Sequence, residues 1–225
     1  GFRRDWEGRE QDVTLSGDVY QGRLRNTSLL SSGTMSGANL RAEVQRDLAD
    51  AGQVRLHAWL DQTRRSKPGV GMQQIDTVDV EAQHLVRFGA HGITWGGGYR
   101  NSRDQIDGGP VLRFTPARRN LRWSHLFVQD ELTLTPTLRA VAGMRVEHNV
   151  YTGSELLPNL RLAWDASDQA TLWAALSRTV RAPSRIDRDL FLVNPASPRQ
   201  FLIAGGADTV AETARVAELG YRAQP

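Results

Sequence analysis

The side chains best suited to metal or acid–base chemistry in this 225-residue sequence are five histidines: His57, His84, His91, His125 and His148. None stands at zinc-site spacing from another histidine or a carboxylate on one element. There is no cysteine, which excludes a disulfide scaffold and any thiolate metal site. Gly96-Gly97-Gly98 lacks the helix and lysine of a phosphate loop, and no Gly-x-Ser-x-Gly elbow occurs. Asp187 and Asp189 could be set beside His148 as an acid–histidine group, but their spacing gives that no support. The expectation is a chain with no catalytic residues, no metal and no cofactor.

Arginine carries most of the remaining chemistry. Lysine and arginine total 28, and Lys67 is the only lysine. Four groups stand out: Arg64 with Arg65, Arg100 with Arg103, Arg118 with Arg119, and Arg185 with Arg188. A guanidinium presents a planar fork of donors that suits carboxylate-like oxygens. The net charge is only +3 with pI ≈ 9.8. The arginines are interleaved with Asp and Glu, so a nucleic-acid partner is not expected.

The elements that hold these residues follow from a period of two. Leu138, Ala140, Ala142, Met144 and Val146 alternate with Arg139, Val141, Gly143, Arg145 and Glu147. Leu40, Ala42 and Val44 alternate with Arg41, Glu43 and Gln45, and Val54 to Leu60 and Leu160 to Trp164 repeat the pattern. A strand sends successive side chains to opposite faces, so each segment has one oily and one mostly polar side. Leu126, Val128, Leu132 and Leu134 form another oily row, in which Asp130 is a misfit.

About ten strands are read, near 11–22, 37–48, 53–65, 76–88, 92–104, 121–134, 137–149, 156–166, 169–181 and 211–223. Several run to about a dozen residues, beyond the usual soluble strand and close to a tilted bilayer-crossing strand. The links alternate. Long ones run through Asn26 and Gly33, Ser66 to Gly69, Asp107 to Pro110 and Ala182 to Val210, with a moderate one at Val150 to Glu155. Tight ones fall at Ala49 to Gly52, Gly89 to Gly92, Thr135 to Thr137 and Ala166 to Asp168. Long and short links on opposite ends are the signature of an up-and-down outer-membrane barrel. No apolar stretch approaches the roughly 18–20 residues of a spanning helix. The opening Gly1 to Asp5 has no export-signal core and no initiating methionine, so a fragment or processed piece is expected.

In hydrocarbon an unpaired backbone group costs roughly 4–8 kcal/mol, so a spanning sheet cannot leave its edges open. An arginine at the lipid midplane costs roughly 2–4 kcal/mol. The charged row is therefore read as the lumen wall, with Arg139, Arg145, Glu147, Arg161, Arg178 and Arg181 facing it. His57 is expected to hydrogen-bond there. Trp164, on the oily side near a short turn, is the best candidate for an interfacial belt; Trp173 is read as lumen-facing. The competing architecture is a soluble sandwich or barrel with the oily side turned inward.

Longer runs carry a family resemblance. Leu157-Pro158-Asn159-Leu160-Arg161-Leu162-Ala163-Trp164, a short turn, and Ala170 to Ser184 (ATLWAALSRTVRAPS) resemble the TonB-dependent outer-membrane receptors. Phe127 to Glu131, Gly143 to Asn149 and Glu218 to Arg222 agree, and Gly1 to Trp6 with Gly17 to Tyr20 fit the same style. The resemblance implies a barrel of about 22 strands, an internal plug and a short box gripped by TonB. Plug and box are absent from residues 1–225, so an incomplete, open part of that barrel is expected. It further implies import of a scarce nutrient such as a ferric siderophore or cobalamin, driven through TonB. Partners would be outer-membrane lipid and lipopolysaccharide, the TonB complex through the missing part, and a siderophore-like molecule. The eight arginines in the four groups are then outer-loop candidates for binding an anionic ligand. A solvated face, or contact with lipopolysaccharide phosphate, stays open for them. A small outer-membrane barrel enzyme or porin is the alternative function.

Overall fold

The structure is a computed structural model that describes residues 1–24, 32–68 and 70–223. Eleven strands form one antiparallel sheet in an order that nearly follows the chain. They are β1 (Phe2–Glu7), β2 (Gln11–Leu24), β3 (Gly33–Asp47), β4 (Gln53–Lys67), β5 (Gly71–Phe88), β6 (His91–Gly108), β8 (Arg118–Thr135), β9 (Leu138–Asn149), β10 (Gly153–Ser167), β11 (Ala170–Arg181) and β14 (Glu212–Ala223). The sheet is open, with β1 and β14 at its two edges. Ten of these match the expected strands, and β1 is an addition. The expected links through Asn26 and Gly69 lie outside the described residues.

The connections at one end of the sheet, the inner end, are all short. One is Gly89-Ala90 between β5 and β6, where Gly89 adopts φ +55, a conformation glycine takes without a Cβ clash. The outer-end connections vary: residues 68–70 and 150–152 join β4 to β5 and β9 to β10 by three residues each, shorter than expected because these strands run further outward, while the remaining outer links are long. The longest holds helix α1 (Arg185–Asp189) and strands β12 (Leu190–Asn194) and β13 (Ser197–Ala204). With β7 (Leu112–Phe114), β12 and β13 build a separate three-stranded sheet.

Register carries the alternation across strands. Val44 pairs with Leu56, Leu56 with Ala82, Ala82 with Gly97, Gly97 with Leu126, Leu126 with Val146 and Val146 with Leu156. Directly paired residues share a face, so the oily rows join into one continuous band. Among the described residues no second layer covers it: Leu126 is 71% exposed, and the buried apolar residues are only Ile106 and Leu190. A soluble sandwich would bury this band between layers.

The three glycines of β6 serve close packing. A Cβ on Gly97 would lie 2.6 Å from Leu126 Cδ2, and one on Gly98 2.6 Å from His125 Cε1. Asp130, the misfit of the oily row, meets His91 Nδ1 at 2.7 Å near the inner end.

Candidate functional site: the outer mouth

On the polar side of the outer end lies a cavity of about 510 Å³, lined by Arg65, Lys67, Gln73, Phe114, Trp123 and Tyr151, among others. Arg65, Lys67 and Gln73 come from the outer ends of β4 and β5, which project beyond the oily band. Trp123 comes from β8. Arg65 and Lys67 join no ion pair among the described residues.

The cavity is backed by an ionic knot. Arg185 is 5% exposed. Its Nε donates to Asp189 Oδ2 at 3.0 Å, and one terminal nitrogen stands 3.5 Å from Asp104 Oδ2. The guanidinium also donates to the carbonyls of Pro116 and Ala117 and lies over the Phe114 ring at 5.1 Å. Asp189 takes a second cation, Arg119, at 2.7 Å. Arg119 and Arg188 both lie over the ring of Tyr151, at 4.9 and 5.4 Å. Burial pushes the Tyr151 hydroxyl up to about 12. The knot thus ties the long connection, through α1, to β6, β8 and the β9–β10 turn.

The eight candidate arginines are not placed as the four loop groups the sequence suggests. Six of them lie within strands, because the strands extend past the membrane band. Strand alternation then splits each close pair. Arg64, Arg103 and Arg118 belong to the oily-face set, through registers with Ser36, Asp76 and Gln105. Arg65, Arg100 and Arg119 belong to the polar set. Arg100 is engaged by Asp79 at 2.7 Å and lies over Trp59. Arg185 and Arg188 lie in α1, and Arg185 is buried in the knot. Arg188 donates to Tyr151 O at 3.1 Å and to Ala207 O. Of the eight, Arg65 alone lines the cavity without an ion pair among the described residues.

The wall residues fare differently. Arg139, Arg145, Glu147 and Arg161 fall in the polar rows, and Arg139 pairs with Asp165 and Arg145 with Glu147. Arg181 also falls in a polar row and reaches Glu212 at 2.6 Å and Asp187 at 3.5 Å. Arg178 departs from expectation. It shares its set with Leu172, Ala174 and Leu176, at their outer end, and reaches Glu155 at 2.9 Å where β10 is no longer paired to β11. His57 is not the expected hydrogen-bonder: its Nδ1 stands 4.0 Å from Asp79, and its Nε2 has no partner. Trp173 gains an account. Its indole lies on Gly220, where a Cβ would come within 2.0 Å of the ring.

The imagined Asp187, Asp189 and His148 group is not assembled. Asp187 caps α1, Asp189 joins the knot, and His148 Nδ1 meets Ser154 Oγ at 3.0 Å. Among the described residues no cluster of three or more His, Asp or Glu could hold a metal ion.

Sequence reasoning missed Lys67, Gln73, Tyr151 and Asp104. Only Lys67 carried a signal, as the sole lysine in an outer link.

An open antiparallel sheet with long strands, an uncovered oily face and an elaborated outer end defines part of a transmembrane β-barrel. The chain belongs to the TonB dependent receptor-like β-barrel family, which matches residues 1–225. That family comprises outer-membrane receptors and transporters of Gram-negative bacteria, not enzymes. No curated protein matches the chain. Among solved structures it resembles the siderophore receptor PirA from Pseudomonas aeruginosa (TM-score 0.80, 16% identity, 99% of this chain and 42% of that one). It also resembles PirA from Acinetobacter baumannii (0.79, 15%, 99% and 40%). The P. aeruginosa ferric enterobactin receptor PfeA, solved as a mutant with enterobactin, is similar too (0.80, 14%, 98% and 40%). The chain spans about two-fifths of the length of these structures.

Proposed function

We propose that this chain forms wall and outer mouth of an outer-membrane active-transport receptor that imports an anionic nutrient complex of the ferric-siderophore class. The rest of the barrel, a plug and the TonB-gripped box would lie in other parts of the same protein, and TonB would supply the energy. The observation that carries the reading is the cavity of about 510 Å³ on the polar side, whose lining includes both Arg65 and Lys67 and the aromatic side chains Trp123 and Phe114. Two cations without intramolecular ion pairs can meet an anionic ligand at no cost of breaking a bridge. Aromatic side chains in the lining suit the flat rings of a catecholate-type chelator.

The test is uptake by the full-length receptor of radioactive iron loaded on a panel of anionic and neutral siderophores. Replacing Arg65 and Lys67 with alanine should lower uptake of the anionic carrier by about tenfold or more, as expected for charge-assisted contacts of about 1.5–3 kcal/mol. Unchanged uptake of every anionic carrier would remove the reading.

A further inference from the structure

Asp104 on β6 is almost wholly buried, at 6% exposure, yet it keeps one oxygen unused: its Oδ1 accepts no hydrogen bond among the described residues. Its Oδ2 stands 3.5 Å from a terminal nitrogen of Arg185. Arg185 sends its hydrogen bonds to Asp189 and to the carbonyls of Pro116 and Ala117. Arg119 pairs in register with Asp104 but turns to Asp189 at 2.7 Å. Gln73, one row away on β5, closes no hydrogen bond to Oδ1. A buried acceptor without a donor costs free energy until one arrives.

Asp104 lines the cavity that also holds Arg65 and Lys67. Its place there follows from register. Arg65 pairs with Gln73, and Gln73 pairs with Ile106, two residues beyond Asp104 on the same face. Two strand spacings and two residues put roughly 12 Å between the backbones of Arg65 and Asp104. The cavity therefore has two poles. Arg65 and Lys67 offer cationic donors at one. Asp104 offers an unpaired acceptor at the other, which a ligand built only of acceptors would meet oxygen to oxygen.

We infer that Asp104 is a specificity-determining residue: its free oxygen accepts a hydrogen bond from an N–H on the scaffold of the carrier, while the carrier's anionic oxygens meet Arg65 and Lys67. The ligand is then an anionic chelate that also bears an amide or amine N–H across the cavity. A chelate built only of acceptors, such as a polycarboxylate, is disfavoured. A site shaped for a donor rejects the analogue without one more strongly than apolar fit can, because the buried acceptor is left unpaired. The selectivity works by a penalty on the wrong carrier as much as by attraction of the right one.

This inference rests on the import reading above and narrows its ligand. The test measures uptake by the full-length receptor of radioactive iron on two tris-catecholate carriers. They differ only in the scaffold amides outside the chelating arms, N–H in one and N-methyl in the other. Ferric citrate is the third, all-acceptor probe. The wild type should take up the N–H form about tenfold better than the N-methyl form, and ferric citrate no better than the N-methyl form. D104N offers Arg185 its amide oxygen and turns an N–H group toward the cavity, so it should lose the preference. Equal uptake of the two catecholates by the wild type, faster uptake of ferric citrate, or an undiminished preference in D104N would overturn the assignment. If D104N does not reach the membrane, the wild-type comparison decides by the same criterion. Equal uptake of the two catecholates that still falls when Arg65 and Lys67 are replaced with alanine would refute the role of Asp104 and leave the import reading standing.

Discussion

Arg185 is placed where removing it has a defined consequence. Its guanidinium faces Asp104 and Asp189, both buried. Arg185→Ala leaves two buried carboxylates short of a cation, a loss of about 3–5 kcal/mol for a buried pair. Limited proteolysis should then cut the Ala182 to Val210 connection, and cleavage at the wild-type rate would contradict the knot. Asp130 poses the opposite case, a charge in an oily row. His91→Leu should destabilise the barrel by about 1–3 kcal/mol by stripping Asp130 of its partner. The double variant with Asp130→Leu should recover that loss in urea unfolding from micelles; no recovery would contradict the pairing. These two cases mark what residues reveal in sequence. Asp130 was visible as a misfit because it broke an alternation, yet its partner lay 39 residues away. Arg185 looked like any loop arginine, because the carboxylates that enclose it come from β6 and from one turn further along its own helix. Arg64 and Arg65 show the reverse: their assignment to opposite faces was available from the period of two alone, once β4 is extended to Lys67.

At the scale of elements, α1 depends on its first turn. Ser184 Oγ accepts from the backbone N–H of Ile186 and Asp187, while the Asp187 carboxylate accepts from the Ser184 backbone. That bond, with the Ser184 hydroxyl, holds the Asp187 carboxyl below its ordinary range. A lowered folded pKa gives stability that is present above the unfolded value of about 3.9 and is lost as pH falls through the folded value. The knot-bearing connection should therefore keep its protease resistance from neutral pH to about pH 4 and lose part of it below. Ser184→Ala should loosen it at all pH values, by about 1 kcal/mol. Tyr151 acts at the other extreme. Its raised folded pKa gives stability that is full below about pH 10 and lost as pH rises toward about 12. Trp173 and Gly220 form an inter-strand device of β11 and β14. Gly220→Val should displace the indole and lower the thermal unfolding midpoint of the receptor, whereas Gly153→Ala, at a turn glycine with open space around it, strains only its own backbone. Strand positions were legible because a period of two survives in each segment separately. The three-stranded outer sheet and α1 were not, since Leu112 to Phe114 and Leu190 to Asn194 are too short to show a period.

The whole molecule is one uncovered eleven-stranded sheet with a small three-stranded sheet at its outer end, and its stability depends on its surroundings. It has almost no apolar core of its own, and both edge strands leave backbone groups unpaired. Expressed alone and offered detergent, residues 1–225 should give no heat-modifiable folded band, and a stable closed species would contradict the partial-barrel reading. The central claim is that the band from Val44 to Leu156 faces lipid and the alternate rows face the barrel interior. The most direct measurement places a nitroxide, one position at a time, from Arg139 to Glu147 of the full-length receptor in bilayers. This segment contains no native cysteine to interfere with labelling. Collision with dissolved oxygen, which concentrates in lipid, should peak at Ala140, Ala142, Met144 and Val146 and fall at the residues between. A pattern of the opposite phase, or no alternation along β9, would contradict the account.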